Sequence, residues 1–306
     1  MILGINISHH PSICFYKNNK ITNFYNEERF IFKKNWIPTS INFKVFKSII
    51  DKLRVKPKLV CYSSYNRFDP HVDEDYRIIN VLQNQLKYPK YFFNEKNHHI
   101  YHACTGFYFS KFNEAVAIVV DGGGACNYKI PFRETESLYF ISKENLYPLY
   151  KHSSNKANQE FSTKDDESIL SFIDNFENKF SQTATGGWVF VEGCKSVGFK
   201  EQDAGKLMGL SSYAYTEKKY DLNYDFVKIA KEAQEKTFND TCFLIEKAKE
   251  HSKNIILTGG YFLNCSNNFK YVKKYPDLNF FVDPIPHDGG TAIGVCYYHE
   301  HYRKQR

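Results

Sequence analysis

The stretch Asn97-His98-His99-Ile100-Tyr101-His102-Ala103 is where residue types and spacing first suggest chemistry. If residues 98–110 are helical, His98 and His102 stand four apart and share one helix face. Two imidazoles on one face are half of a common protein metal site, although a pair at this spacing is often chance. An apolar run, Ala115–Val120, follows and leads into Asp121-Gly122-Gly123-Gly124. Open α/β sheets place their chemistry at the C-terminal ends of buried strands, and glycines there let backbone approach a ligand. Two later units, Thr258-Gly259-Gly260 and His287-Asp288-Gly289-Gly290, again join a strand through glycines to a helix. Backbone N–H groups at such a junction meet an anion, and three such loops suit an adenylate-binding cleft between two halves.

Other candidates are scattered. His9, in the tip Ser8-His9-His10-Pro11, is either a plain turn residue or a base held at a strand end. Glu27-Glu28-Arg29 reads as a surface ion cluster, while Lys33 and Lys34 after it are placed to meet an anionic substrate. Lys206, bracketed by Gly205 and Gly209, reads as a phosphate contact, but GxxxxGK[ST] is absent and this is no Walker A loop.

The elements that must position these residues follow from pattern. Residues 2–7, 12–17 and 21–27 are three short strands, the opening of an actin/sugar-kinase class of α/β fold. Helical spacing appears over 43–53, 74–86 and 224–252, with strands at 58–62 and 91–93. After Asp121, 138–142 and 146–150 read as two more strands, so the order from 115 repeats that from residue 2. We read a duplicated β-rich unit with approximate subdomains 1–114 and 115–306 in one catalytic domain. A helix is expected over 168–180, strand-like runs at 188–191 and 196–199, and at the C-terminal end strands 254–257 and 278–282 leading into helices.

Composition bounds the partners. No run of some 18 apolar residues exists, and the N-terminus lacks a signal-peptide pattern, so no membrane is expected. The 8 cysteines contain no CxxC pair, which suits reduced thiols in cytoplasm and argues against a cysteine-rich zinc site. The net charge of +7 is met either by a solvated surface or by a polyanion such as nucleic acid. The wealth of Lys, Asn, Ile, Phe and Tyr is that of an AT-rich, phage-like genome.

Seven motifs in order resemble the NodU/cephamycin-type O-carbamoyltransferase family. They are Ile2-Leu-Gly-Ile-Asn with Ser8-His9 and Ser12; Glu27-Glu28-Arg29-Phe30; His98-His99-x-x-His102-Ala103; and Val119-Val-Asp121-Gly. The others are Gly205-Lys206-x-Met208-Gly209-Leu, Gly259-Gly260-x-x-Leu263-Asn264-Cys265 and Asp288-Gly-Gly-Thr291-Ala-x-Gly294. They span residues 1–298. His10-Pro11 departs from the Asp and small residue usual there, and the chain stops at Arg306, where family members usually continue into a domain that makes carbamoyl adenylate.

The resemblance implies the actin-like fold of threonylcarbamoyl transferases and transfer of a carbamoyl group to a hydroxyl. By match, His98, His102, Asp121 and Asp288 bind a divalent metal, of iron type, with manganese, zinc or magnesium as alternatives. The donor is carbamoyl phosphate, or carbamoyl adenylate made with ATP by a separate protein. His9 is the candidate base; Arg29, Lys34 and Lys206 hold phosphate or adenylate oxygens; Gly259, Gly260, Asn264 and Gly289 complete the donor site. Resemblance to single-domain viral and metagenomic relatives suggests 5-hydroxymethylcytosine in DNA as acceptor, in a bacterial host's cytoplasm. Aromatics at 17%, Tyr62, Tyr65, Phe68, Tyr76, Trp188 and Phe190 among them, are available to stack on a flipped base. A free nucleotide or a small-molecule or sugar hydroxyl is the alternative acceptor. A sugar-kinase-like ATPase or a non-catalytic nucleotide-binding subunit would share the glycine loops without needing the histidine pair.

Overall fold

The computed structural model describes residues 1–32, 56–64, 74–86, 90–94, 97–127, 130–154, 177–181, 185–216, 218 and 220–303. The helix expected over 43–53 lies outside them, as do Lys33, Lys34, Tyr65 and Phe68. Two sheets carry the fold. The first has the order β3-β2-β1-β4-β5, with β1 (Ile2–Asn6), β2 (Ser12–Lys17), β3 (Lys20–Asn26), β4 (Leu59–Ser63) and β5 (Tyr91–Phe93). The first three strands run antiparallel as a meander, and β4 and β5 join β1 in parallel.

The second sheet repeats this plan. Its path is β10-β9-β8-β6-β11-β12, from β6 (Glu114–Val120), β8 (Ile130–Ser142), β9 (Leu146–Ser154), β10 (Glu177–Ser181), β11 (Asn254–Thr258) and β12 (Asn279–Val282), with the two-residue β7 (Cys126–Asn127) on β8. Here β6, β8 and β9 are antiparallel neighbours, while β11 and β12 extend β6 in parallel. Strand for strand, β6-β8-β9-β11-β12 has the directions of β1-β2-β3-β4-β5. Central strands such as Ala115–Val120 are buried on both faces, as parallel strands covered by helices are.

Of the helices, α1 (Glu28–Ile31) and α2 (Glu74–Leu86) belong to the first half, with Ile78, Ile79 and Leu82 buried on one face of α2. Helix α3 (His98–Ser110) ends the first half, yet it packs on β6, β8 and β11 of the second sheet. The last helix, α8 (Thr291–His301), packs back on β1, β2 and β4. The two helices thus exchange sheets, and they cross against each other between them. Gly294 permits that crossing: a Cβ there would stand 1.8 Å from the Tyr101 carbonyl oxygen.

Three expectations are overturned. Residues 177–180, the end of the helix read over 168–180, lie in β10, which pairs in parallel with β9, while 168–176 fall outside the described residues. Residues 187–196, read in part as a strand, form α4 (Gly187–Ser196), because Val189, Phe190, Gly193 and Cys194 recur at helical spacing and all face the core. The strand-like run 196–199 is the turn that closes α4, and Lys206 lies on α5 (Ala204–Ser211), followed by the long α6 (Tyr224–Ala248). Among the described residues no helix is long and apolar enough to cross a membrane.

Candidate metal centre

The C-terminal ends of β1, β4, β6 and β11 converge, and α3 enters between the sheets beside them. His98 and His102, four apart on α3, turn both rings to this point, with their Nε2 atoms 3.2 Å apart. Asp121, directly after β6, brings Oδ2 to 3.3 Å from His98 Nε2 and 3.9 Å from His102 Nε2. Asp288, in the tight turn before α8, brings Oδ1 to 3.7 Å from each ring. One atom from each of the four lies within 4.8 Å of the other three, and all four residues are buried.

A supporting layer fixes each group. His98 Nδ1 meets the Ser64 carbonyl oxygen at 3.1 Å, so the ring donates there and turns its Nε2 to the cluster. Asp288 Oδ2 accepts from Ser8 Oγ at 3.0 Å, and Ser8 itself is bound to Asn6 Oδ1 at the end of β1. Asp121 Oδ1 accepts from the Gly260 N–H at 3.1 Å. Register explains this last bond. Thr258 pairs with Val119, so the next two residues of each strand run side by side. Gly259 takes φ of +98°, and a Cβ on it would stand 2.3 Å from the Val120 carbonyl oxygen, so only glycine fits.

Electrostatics fit a cation. Two carboxylates buried side by side require positive charge nearby. In the protein alone His98 supplies it: burial would depress its pKa, but Asp288 and the hydrogen-bonded Asp121 outweigh burial and hold it at about 10. Burial and Asp288 push the Asp121 carboxyl up, yet the two histidines bring it down to about 2. Asp288 lies well below the usual carboxylate range for the same reason, led by His98 against the cost of burial. Two imidazole nitrogens and two carboxylates, held by a second layer of hydrogen bonds, are a donor set for a divalent transition metal.

The remaining expected residues are dispersed. His9 is half-buried beside Ser8, and its carbonyl accepts from Asn6 Nδ2 at 2.8 Å. Arg29 is exposed on α1. Lys206 Nζ pairs with Asp203 Oδ1 at 2.8 Å on an exposed helix face. Gly259 and Gly260 serve β6 and Asp121 as described, and the Gly289 N–H is given to His287 Nδ1 at 3.1 Å. Both ends of the Asn264 side-chain amide are used inside the protein, by Gln234 at 3.0 and 2.9 Å. Of the aromatics named for stacking, Tyr62 and Phe190 are core residues, while Tyr76 is 39% exposed.

Sequence reasoning missed a second buried network alongside. His99 points away from the metal face, and its Nδ1 lies 2.9 Å from Ser137 Oγ. Ser137 donates to Glu134 Oε1 at 2.5 Å, and Lys151 Nζ and Tyr139 Oη reach the same oxygen at 3.0 and 3.2 Å. Burial would raise the Glu134 pKa, but Lys151 outweighs it and holds the group at about 2, whereas burial drops His99 to about 4. His99 stood in plain view in the HHxxH pattern; nothing in the sequence marked Glu134, a strand residue.

No protein-family model matches the chain. An uncharacterized protein of Methanocaldococcus jannaschii, MJ1051, is 27% identical over 96% of this chain, which spans 56% of that protein. Full-length HypF in a phosphate- and nucleotide-bound form superposes with a TM-score of 0.55 at 15% identity, over 97% of this chain and 54% of HypF. The HypF of T. kodakarensis gives 0.52 at 12% identity, over 99% and 47%. A ROK hexokinase of Thermus thermophilus gives 0.51 at 9% identity, over 98% and 99%. The chain thus spans about half the length of MJ1051 and of HypF. What these neighbours establish is the actin/sugar-kinase-like fold expected from the sequence.

Proposed function

We propose that the chain is a metal-dependent O-carbamoyltransferase that moves a carbamoyl group from carbamoyl phosphate or carbamoyl adenylate to a hydroxyl. The observation that carries this reading is the buried His98–His102–Asp121–Asp288 cluster at the convergent strand ends. A kinase of this fold needs no such histidine pair, and the phosphate- and nucleotide-bound HypF lends the donor class its support. Held by the four side chains, a divalent cation, iron by preference, would polarise the donor carbonyl and counter charge building on its oxygen. The acceptor hydroxyl attacks the carbonyl carbon, the bond from that carbon to the phosphate oxygen breaks, and phosphate or AMP leaves with the electron pair. His9, one residue from the Asp288-holding Ser8, takes the hydroxyl proton.

For the acceptor we propose the hydroxymethyl group of 5-hydroxymethylcytosine in DNA. The net charge of +7 supports it, as does a surface where Lys270 and Lys231 stand 5.1 and 5.6 Å from the exposed Tyr215 ring and Lys273 stands 4.5 Å from Phe269. The test is mass spectrometry of DNA containing the modified base after incubation with metal, carbamoyl phosphate and protein, with and without ATP. A gain of one carbamoyl group is expected. Its absence in both arms, with a gain on a free nucleoside or sugar instead, overturns the acceptor; no gain on any hydroxyl overturns the reaction.

A further inference from the structure

Helix α7 (Cys265–Lys274) turns apolar side chains and positive charge outward together. Asn267, Asn268 and Tyr271 are buried, while Ser266, Phe269, Val272 and Lys273 share the opposite side, with Lys270 at its edge. Phe269 is 60% exposed and Val272 47%. The helix holds no acidic residue, so this outer face is apolar and of one charge, the marks of an interaction surface.

Aromatic rings fix where the charges stand. Lys273 Nζ lies 4.5 Å from the centre of the Phe269 ring. Beyond the edge of α7, Lys270 and Lys231 of α6 share the exposed Tyr215 ring at 5.1 and 5.6 Å. Lys274 lies 5.4 Å from the Phe238 ring on α6. Among the described residues, the carboxylate paired with any of these four ammonium groups is Glu235, 3.7 Å from Lys231. An ammonium already held on a ring has less side-chain freedom to lose when an anion binds it. The surface also starts beside the metal centre. The Gly260 N–H holds Asp121, Leu263 closes the same turn with 57% of its area exposed, and α7 begins two residues later.

Resting on the reading of DNA as the acceptor, we propose that the outer face of α7, with Tyr215 and Lys231, is a docking surface for a single strand of nucleic acid leading to the metal centre. The ammonium groups take phosphates of the strand, and Phe269 offers an unpaired base the ring face that Lys273 leaves open. A duplex would meet the lysines but, with its bases stacked inside, would leave Phe269 and Val272 uncovered. A single strand also presents its base already outside a helix, which removes the cost of flipping it.

The test is fluorescence anisotropy of a labelled, unmodified single strand of about 12 nucleotides, and of the same sequence as a duplex, without donor. The single strand should bind more tightly, and its affinity should fall with salt at a logarithmic slope of about three, from four phosphate contacts. Phe269→Ala should weaken binding about 5–150-fold, the usual loss of one stacked base. Lys270→Gln with Lys273→Gln should reduce the slope by about one. Phe243→Ala removes another exposed ring flanked by lysines, but one outside this surface, and should change nothing. Equal binding by wild type and Phe269→Ala, a preference for duplex, or a flat salt dependence overturns the surface. So does a dimer in sedimentation that Phe269→Ala dissolves, because a second copy then covers this face. DNA carbamoylation undiminished in Phe269→Ala removes the surface and leaves the acceptor reading standing. Strand binding that depends on Phe269, with no base carbamoylated, overturns the acceptor reading and leaves the surface.

Discussion

Ser64 and Gly260 do equivalent work from opposite sheets: one follows β4 and offers a carbonyl oxygen to His98, the other follows β11 and offers an N–H to Asp121. Since β4 and β11 hold matching places in the two sheets, the metal centre is supported by the same two positions of a repeated plan. One position orients a nitrogen ligand and the other an oxygen ligand.

This support predicts graded metal loss. His98→Ala and Asp288→Ala remove ligands and should leave well under one equivalent of divalent metal per chain by elemental analysis. Ser8→Ala keeps all four ligands but removes the hydroxyl that meets Asp288 and Asn6, and should weaken metal affinity by about 10–100-fold in chelator competition. Metal content independent of all three variants would mean that the cluster is an ion-pair network and nothing more.

The pH dependence of stability should differ with and without metal. In chelator-treated protein the His98 pKa is raised from 6.5 to about 10, so its contribution is complete below 6.5 and is lost as pH rises toward 10. Asp121 is lowered from 3.8 to about 2, so its contribution is present above 3.8 and is lost as pH falls toward 2. Thermal unfolding of the metal-free protein should therefore weaken at both extremes. Metal must displace the His98 proton, so the rise in Tm on adding metal should grow from pH 6.5 upward. A metal-induced rise that is flat over this range would contradict the ligand assignment.

Gly294→Ala tests the helix crossing. Its methyl group would enter the Tyr101 carbonyl, and overpacking of this kind costs about 1–3 kcal/mol or more. Denaturant unfolding should show that loss, and Gly198→Ala, with no atom within 4 Å of the added Cβ but a φ of +75°, should show only the smaller backbone cost.

Asn264 separates structure from binding. Its amide is buried against Gln234, and replacement by alanine leaves Gln234 unsatisfied, so Asn264→Ala should cost about 1–3 kcal/mol of stability. An intact stability with a raised KM for the donor would instead return Asn264 to the donor site.

Much of this arrangement was legible because spacing and strand ends carry physical meaning. The helix 98–110 and the run ending at Asp121 follow from periodicity and from a carboxylate after a buried strand. What periodicity missed, packing decided. Trp188-Val-Phe-Val191 has strand-like composition, but Gly193 lets α4 lie against Leu207, and tertiary contact overrides propensity. Lys206 looked like a phosphate ligand because it stands between glycines, yet in a helix its neighbour three residues back is Asp203, which takes the charge. Glu134 and Ser64 act through a carboxylate and a carbonyl that no local pattern marks.

The exchange of α3 and α8 between sheets makes the cluster a clasp. His98, His102 and Asp121 travel with the second sheet, on which α3 lies, while Asp288 is tied through Ser8 to the first. A cation bound by all four therefore bridges the two sheets, as the Ser64 bond to His98 also does. Binding of that ion and the joining of the two sheets are then thermodynamically linked.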